Sequence, residues 1–295
     1  MKPKRSRLRR ALRWLLVLVV LALFVMFFLL PIVFAVYAIV PAGDDVGTPP
    51  EGFDNFTLTT DDDVTLAAWF AAPQNGAAIV LVHGSGNSRD DVRAHAELLA
   101  GHGFGVLAID LRGHGESGGD INRLGWHGSR DVGAAVRYLE ARDDVNAIGG
   151  LGLSVGGEIL LGAVGEYPAL QAVVSEGATS RWLDEFRALE SHRSFIGSLQ
   201  VRMLDIAVGL FSGDDPPTPM LDSIRATEGT RLLLISAGNE RDEAEFNEVF
   251  AEAAGPRAET WVVPDSGHTQ GLSDEPAEYE QRVIGFFEAA LLAAE

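Results

Sequence analysis

The sequence predicts an α/β fold: a mostly parallel eight-stranded sheet with helices on both faces, preceded by one N-terminal transmembrane helix. Three observations predict this arrangement. From residue 53 onward, short β-branched runs alternate with helical patterns, which is typical of strands joined by crossover helices. Several of these runs, such as AAIVLVH and RLLLIS, are apolar throughout, like strands buried on both faces. Residues 14–40 carry no charge and exceed the roughly 20 residues that cross a bilayer as a helix.

The N-terminal segment is expected to be a transmembrane anchor that leaves the body outside the cytoplasm. Residues 1–13 hold seven of the 23 Lys and Arg residues, and this basic tail is expected to stay cytoplasmic. A cleaved signal peptide is the alternative, because Val36 and Ala38 give a plausible cleavage spacing, although signal-peptide apolar regions usually span about 7 to 15 residues. Residues 41–52, rich in proline, glycine and acid, are expected to link the anchor to a domain over 53–295.

Composition excludes several classes of function. The 282 residues after the basic tail hold 16 basic against 42 acidic side chains, a net charge of −26. Nucleic acid is therefore not an expected partner. The chain has no cysteine, which excludes disulfides, thiolate metal sites and a cysteine nucleophile.

The body divides into strands, helices and one longer insertion. The predicted strands are 53–59, 64–71, 78–83, 105–110, 147–153, 171–175, 231–236 and 259–263. Helical patterns lie near 90–101, 128–142, 155–166, 242–253 and 276–294. The first two strands have no helix between them, so they are expected to be antiparallel. Residues 177–230 are too long for a single crossover and are expected to form a small helical cap.

The segment GLGLSVGG, residues 150–157, predicts a nucleophile elbow. Ser154 would lie at a sharp turn between the strand 147–153 and the helix that follows. Glycines at 152 and 156 remove side chains that would collide across such a turn, and the serine hydroxyl is left exposed above a helix N-terminus. Ser154 is therefore the candidate nucleophile.

A serine hydroxyl needs a positioned base, and the base needs a carboxylate to orient it. Of the seven histidines, only His268 follows the last strand, in the loop of WVVPDSGHTQG. Asp242 is the chosen acid because it lies at the expected junction of loop and helix after RLLLIS, where a helix N-cap is its structural alternative. Glu240 and Glu243 in the same stretch, and Glu176 after an earlier strand, remain alternatives.

The negative charge that develops on a carbonyl oxygen needs hydrogen-bond donors. The backbone N–H of Val155, at the start of the elbow helix, is one candidate. The second is the N–H of Ser85 in LVHGSGNSRDD, where glycines 84 and 86 let the loop approach the elbow. A phosphate-binding G-x-G-x-x-G does not fit this loop, because position 89 is arginine.

Taken together, these pieces resemble the α/β-hydrolase fold family over about residues 53–295. The motifs that carry the resemblance are LVHGSG at 81–86, AIDLRGHGES at 108–117, GLSVGG at 152–157, LLLISAG at 232–238 and VVPDSGHT at 262–269. They are most similar to serine hydrolases with small caps, of the serine aminopeptidase-like and dienelactone hydrolase-like kinds. The resemblance implies cleavage of esters, thioesters or, less often, amides, without metal or cofactor. One departure is Arg241, at the position where many relatives carry the acid.

The sequence therefore predicts a membrane-anchored serine hydrolase that acts on a small-molecule carboxylic ester through Ser154, His268 and Asp242. A peptidase or thioesterase with the same residues is the nearest alternative. A non-catalytic, membrane-tethered binding protein on a hydrolase scaffold is the alternative from another class, since a fold does not determine a function.

Overall fold

The structure, a computed structural model, describes residues 4–40, 46–120, 124–213 and 215–293. The eight strands are β1 Asp54–Thr59, β2 Thr65–Ala71, β3 Ala77–Val82, β4 Gly105–Ile109, β5 Ala147–Leu153, β6 Leu170–Glu176, β7 Arg231–Ala237 and β8 Ala258–Val263. The helices are α1 Lys4–Phe24, α2 Leu30–Ile39, α3 Arg93–Gly101, α4 Gly128–Glu140, α5 Val155–Ala163, α6 Leu183–Phe186, α7 Phe195–Ser212, α8 Met220–Ala226, α9 Arg241–Ala254, α10 Gly271–Asp274 and α11 Pro276–Phe287. Parts of the predicted tail (1–3), linker (41–45) and C-terminal end (294–295) lie outside the described residues.

The strands form one sheet in the order β1-β2-β4-β3-β5-β6-β7-β8. β1 pairs antiparallel with β2, β2 pairs antiparallel with β4, and every later pairing is parallel. The prediction of an eight-stranded, mostly parallel sheet that opens with an antiparallel pair is confirmed. The carboxyl ends of β3, β5, β6, β7 and β8 consequently share one edge of the sheet, where loops from distant parts of the sequence meet.

Helices cover both faces of the sheet, as predicted. Apolar residues of α4, α5, α8 and α9 pack on one face, while α3 and α11 pack on the other. The central strands β3, β4 and β5 are buried along their whole length, which explains why their sequences do not alternate between apolar and polar residues. Helices α6, α7 and α8 lie between β6 and β7; α8 packs on the sheet, and α6 and α7 occupy the part of the chain where a helical cap was expected.

The N-terminal segment is one helix from α1 through α2, interrupted by a π-helical turn at Val25–Leu29. Pro31 follows that turn, and such a widened turn accommodates a proline that cannot donate the usual backbone hydrogen bond. Residues Arg7–Ile39 are long and apolar enough to cross a membrane or to serve as a signal sequence. Most of this helix projects into the surroundings, since its side chains from Leu8 to Phe24 are largely exposed.

The second half of this helix packs against the cap. Ala35 and Ala38 of α2 form a small buried cluster with Ala207 and Val208 of α7 and with Trp126. Small residues at the contact allow two helices to approach closely. The cap helix α7 therefore connects the N-terminal helix to the body.

Candidate active site

Ser154 occupies the sharp turn between β5 and α5. Its backbone has φ 53° and ψ −122°, a conformation that L residues rarely adopt and that concentrates at functional sites. Its N–H donates to the carbonyl of Glu176 at 2.7 Å, which ties the turn to the end of β6. The strained backbone points the hydroxyl away from the sheet edge, toward the loop that follows β8.

Glycines 152 and 156 are required by close backbone contact around this turn. A Cβ at Gly156 would collide with the carbonyl oxygens of Val82 and His83 at the end of β3, and one at Gly152 would collide with the backbone of Gly156. The two glycines therefore let α5 begin directly against the ends of the neighbouring strands.

We expect Gly156→Ala to lower the free energy of unfolding by about 1–3 kcal/mol, because the added methyl group meets backbone atoms that cannot rotate away. Thermal unfolding followed by circular dichroism measures the change. Gly285→Ala is the matched control, since a Cβ at this position of α11 has no neighbour within 4 Å. Equal effects of the two substitutions would contradict this account of the elbow.

His268 reaches Ser154 from the loop after β8. Its Nε2 lies 2.9 Å from the Ser154 Oγ, within hydrogen-bond distance, although 114 residues separate the two in the sequence. The hydrogen bond with Glu243 raises the pKa of His268 above its usual value, and partial burial opposes that effect. The imidazole can thus accept the proton of the serine hydroxyl when it is neutral.

The carboxylate that contacts His268 belongs to Glu243, one of the alternatives, and not to Asp242, which the sequence favoured. The Glu243 Oε1 lies 2.5 Å from the His268 Nδ1, and its Oε2 accepts the backbone N–H of Ala237 at 2.9 Å. The Asp242 side chain is 62% exposed and lies 3.3 Å from His192 of the cap. Consecutive residues on a helix point about 100° apart, so only one of the two can face the sheet edge.

The amphipathic pattern of α9 was the signal that could have identified Glu243. The helix buries Glu243, Phe246, Asn247, Phe250 and Ala254, which follow the helical spacing of three and four residues. Glu243 precedes the buried residues Phe246 and Asn247 by three and four positions, whereas Asp242 has only Phe246 at such a distance and lies at the edge of the buried stripe. A carboxylate in register with the apolar face of a helix that packs on the sheet is the one that faces the interior.

The two other candidate acids have different surroundings. Glu240 is exposed at the residue before α9. Glu176, at the end of β6, is buried and accepts hydrogen bonds from the Gly271 N–H at 2.9 Å and the Tyr279 hydroxyl at 2.8 Å. Burial raises the pKa of Glu176. Glu176 thereby fixes the segment that follows His268.

Ser85 and Val155 line one small cavity beside Ser154. The loop after β3 comes close to the nucleophile, since a Cβ on Gly84 would lie 3.5 Å from the Ser154 Cβ. The two residues proposed as oxyanion donors are thus brought to the same place, one from the loop and one from the start of α5.

Two histidines hold this loop. His83 is fully buried, and burial lowers its pKa to about 4, so it is neutral near pH 7. Its Nδ1 lies 2.7 Å from the Gly84 carbonyl and its Nε2 accepts the Leu111 N–H at 3.1 Å, which requires the proton on Nδ1. The His114 Nε2 accepts the Gly86 N–H at 3.2 Å. Both histidines thus have a structural role and hold the loop that follows β3.

Comparisons with known proteins point to one group of folds. The family model described as serine aminopeptidase, S33, matches residues 73–207. A bifunctional esterase/perhydrolase from Acinetobacter calcoaceticus is 34% identical over 116 residues, which cover 38% of this chain and 39% of that protein. The chain therefore aligns with about two fifths of the length of this curated relative.

Solved structures match a larger part of the chain. An esterase from Pyrococcus furiosus superposes with a TM-score of 0.68 at 22% identity, covering 86% of this chain and 98% of that one. A dienelactone hydrolase from Anabaena variabilis gives a TM-score of 0.57 at 22% identity, covering 82% of this chain and 100% of that one. These likenesses confirm the fold that the sequence resemblance implied.

Proposed function

We propose that this chain, which has the α/β-hydrolase fold and matches the serine aminopeptidase family model over residues 73–207, is a serine hydrolase that cleaves a carboxylic ester through an acyl-enzyme. One observation carries the proposal: an unbroken hydrogen-bonded chain runs from the Ser154 hydroxyl through His268 to Glu243. This is the arrangement that converts a poorly nucleophilic hydroxyl into an activated one. The esterase relatives support an ester as the substrate.

The proposed mechanism has two halves. In the first, Ser154 Oγ attacks the ester carbonyl while His268 Nε2 takes its proton, and His268 then gives that proton to the leaving alcohol. Glu243 stabilises the imidazolium, and the N–H groups of Ser85 and Val155 donate to the oxyanion. In the second half, His268 Nε2 takes a proton from the water that attacks the acyl-enzyme carbonyl, and it then gives this proton to Ser154 Oγ as the bond between Oγ and the acyl carbon breaks, which releases the acid and restores the free serine.

A fluorophosphonate probe tests the proposal directly. The full-length chain in detergent micelles should react rapidly, and the mass of the adduct should map to the peptide that contains Ser154. A panel of ester, thioester and peptide substrates then separates an esterase from the thioesterase and peptidase alternatives. A folded chain that neither reacts with the probe nor hydrolyses any substrate would favour the non-catalytic binding protein instead.

The pH dependence should report the state of His268. Only the neutral imidazole can accept the serine proton, and the hydrogen bond with Glu243 raises the pKa of His268 above 6.5. We therefore expect kcat/KM to fall as the pH decreases through a value above 6.5. In Glu243→Gln this acidic limb should move to lower pH, because the carboxylate that stabilises the imidazolium is lost. An acidic limb that does not move would contradict the assignment of His268 as the base oriented by Glu243.

The N-terminal helix is proposed to anchor the enzyme as a single transmembrane span. Basic residues precede the apolar segment, with Arg13 immediately before Trp14, so the N-terminus would remain cytoplasmic and the hydrolase domain would lie on the other side. Trp14 and Tyr37 are 23 residues apart, about 34 Å along a helix, which matches a hydrocarbon core of about 30 Å with an aromatic residue near each interface. Mass spectrometry of the membrane-bound protein distinguishes this anchor from a cleaved signal peptide.

A further inference from the structure

The cap helix α7 presents an apolar stripe to the surroundings. Phe195, Leu199, Met203, Ile206 and Leu210 follow each other at intervals of three and four residues, so they share one face. Phe195 is 81% exposed and Leu210 is 78% exposed. A protein surface surrounded by water usually carries polar side chains on such a face.

The exposed apolar residues of the body are concentrated on this helix. Outside the N-terminal helix, seven large apolar side chains among the described residues are exposed, and five of them lie on α7: Phe195, Ile196, Ile206, Leu210 and Phe211, with Val262 and Leu292 elsewhere. Scattered exposed apolar residues need no explanation, but a continuous patch marks an interaction site.

Helix α7 lies beside the N-terminal helix, so the apolar patch is next to the proposed membrane-spanning segment. Met26, Leu30 and Pro31 line one groove with Gln200 and Val201, near the start of α7. A helix crosses the hydrocarbon core in about 20 residues, and 20 residues counted from Trp14 end at Val33. Met26, Leu30 and Pro31 lie within that stretch, so the groove is at the depth of the hydrocarbon when the N-terminal helix spans the bilayer. At the other end, Ile39 lines a pocket with Phe211 and Ser212. The two helices therefore run parallel, with the start of α7 lying deeper.

We propose that α7 inserts its apolar stripe into the outer leaflet of the membrane, next to the N-terminal helix, so that the hydrolase body rests on the bilayer. The inference rests on the proposed transmembrane anchor. Arg202 borders the stripe within the helix, and such a long side chain can keep its charge among lipid headgroups while its stem contacts apolar surface.

Insertion of α7 would also determine the class of substrate that reaches the site. Trp126 packs on α7. The residues on either side of it in the sequence, Gly125 and His127, line the same small cavity as Ser85 and Val155. A second cavity of about 470 Å³ lies between α7 and the two tryptophans Trp126 and Trp182. Esters that reside in the bilayer would reach this cavity along α7, which favours substrates with long apolar acyl groups.

The absence of cysteine makes the inference testable by site-specific labelling of the full-length chain. Phe195→Cys and Leu210→Cys would be labelled with an environment-sensitive NBD fluorophore and reconstituted into phosphatidylcholine vesicles. Glu140→Cys is the matched control, because Glu140 is exposed at the end of α4 that leads toward the start of β5, opposite the cap. Leu18→Cys reports on the N-terminal helix itself. Reaction with the fluorophosphonate probe checks that each labelled variant is folded.

We expect nitroxide-labelled phosphatidylcholine to reduce the emission at positions 195 and 210 at least about twofold and to leave position 140 unchanged. Deep nitroxides should quench position 195 more than position 210. Insertion of α7 would be overturned if aqueous iodide quenched positions 195 and 210 as strongly as position 140. If position 18 were quenched by lipid in the same experiment, the transmembrane anchor would still be supported. A blue-shifted signal that lipid does not quench would instead indicate a covering protein copy. If position 18 is also in water, the anchor itself fails.

Discussion

Ser154→Ala is expected to lower kcat/KM for a short-chain ester by about 10⁴-fold to 10⁶-fold, to the level that binding and the oxyanion donors alone provide. The substitution removes the attacking oxygen and leaves the neighbouring backbone in place, since the N–H of Ser154 still donates to the Glu176 carbonyl. Steady-state hydrolysis of a chromogenic ester by the full-length chain measures the effect. Ser191→Ala, an exposed serine in the cap, is the control.

A fluorophosphonate adduct that persists in Ser154→Ala would contradict this expectation. Such a result would mean that another nucleophile carries the reaction and that the strained turn at residue 154 serves the fold alone. Unchanged thermal unfolding of Ser154→Ala would establish that a loss of activity has a chemical cause.

Glu243→Gln is expected to lower kcat about 10²-fold to 10⁴-fold, whereas Asp242→Asn should change it less than about twofold. The two substitutions remove the same charge from adjacent residues with nearly equal chemistry. Glu243 is 4% exposed and hydrogen-bonded to His268, while the Asp242 side chain is 62% exposed and faces His192. A neutral amide at 243 can no longer stabilise the imidazolium that forms during the reaction.

The kinetic ranking of these two variants decides the identity of the acid. Hydrolysis should be measured at a pH above the pKa of His268 in each variant. His268 is then neutral in both variants, so a difference in its protonation does not contribute to the difference in kcat. A larger loss in Asp242→Asn than in Glu243→Gln would reject Glu243 and would require α9 to rotate during catalysis.

Much of the fold could be predicted because its strands are short, buried runs separated by clear helical patterns. The run AAIVLVH predicted β3, and GLGLSVGG predicted the turn at Ser154 because few other residues fit such a turn. The approach of His268 could also be predicted, since parallel strands bring the loops after β5 and β8 to one edge of the sheet.

The acid could not be chosen in the same way. Asp242 and Glu243 are neighbours with similar side chains, and the sequence near them contains four carboxylates within six residues. Which one faces His268 depends on where α9 begins and how it is rotated on the sheet. Packing of Phe246 and Phe250 sets that rotation, and this carries Glu243 inward.

The sequence by itself determined the order of the elements, the position of the strained serine turn and the presence of a long apolar N-terminal helix, because each of these depends on residues that are close together in the chain. Only the tertiary structure decided that Glu243 contacts His268 and that α7 packs beside the N-terminal helix. Both contacts join segments that lie far apart in the sequence. Their geometry follows from how helices rotate and pack, which local patterns do not specify.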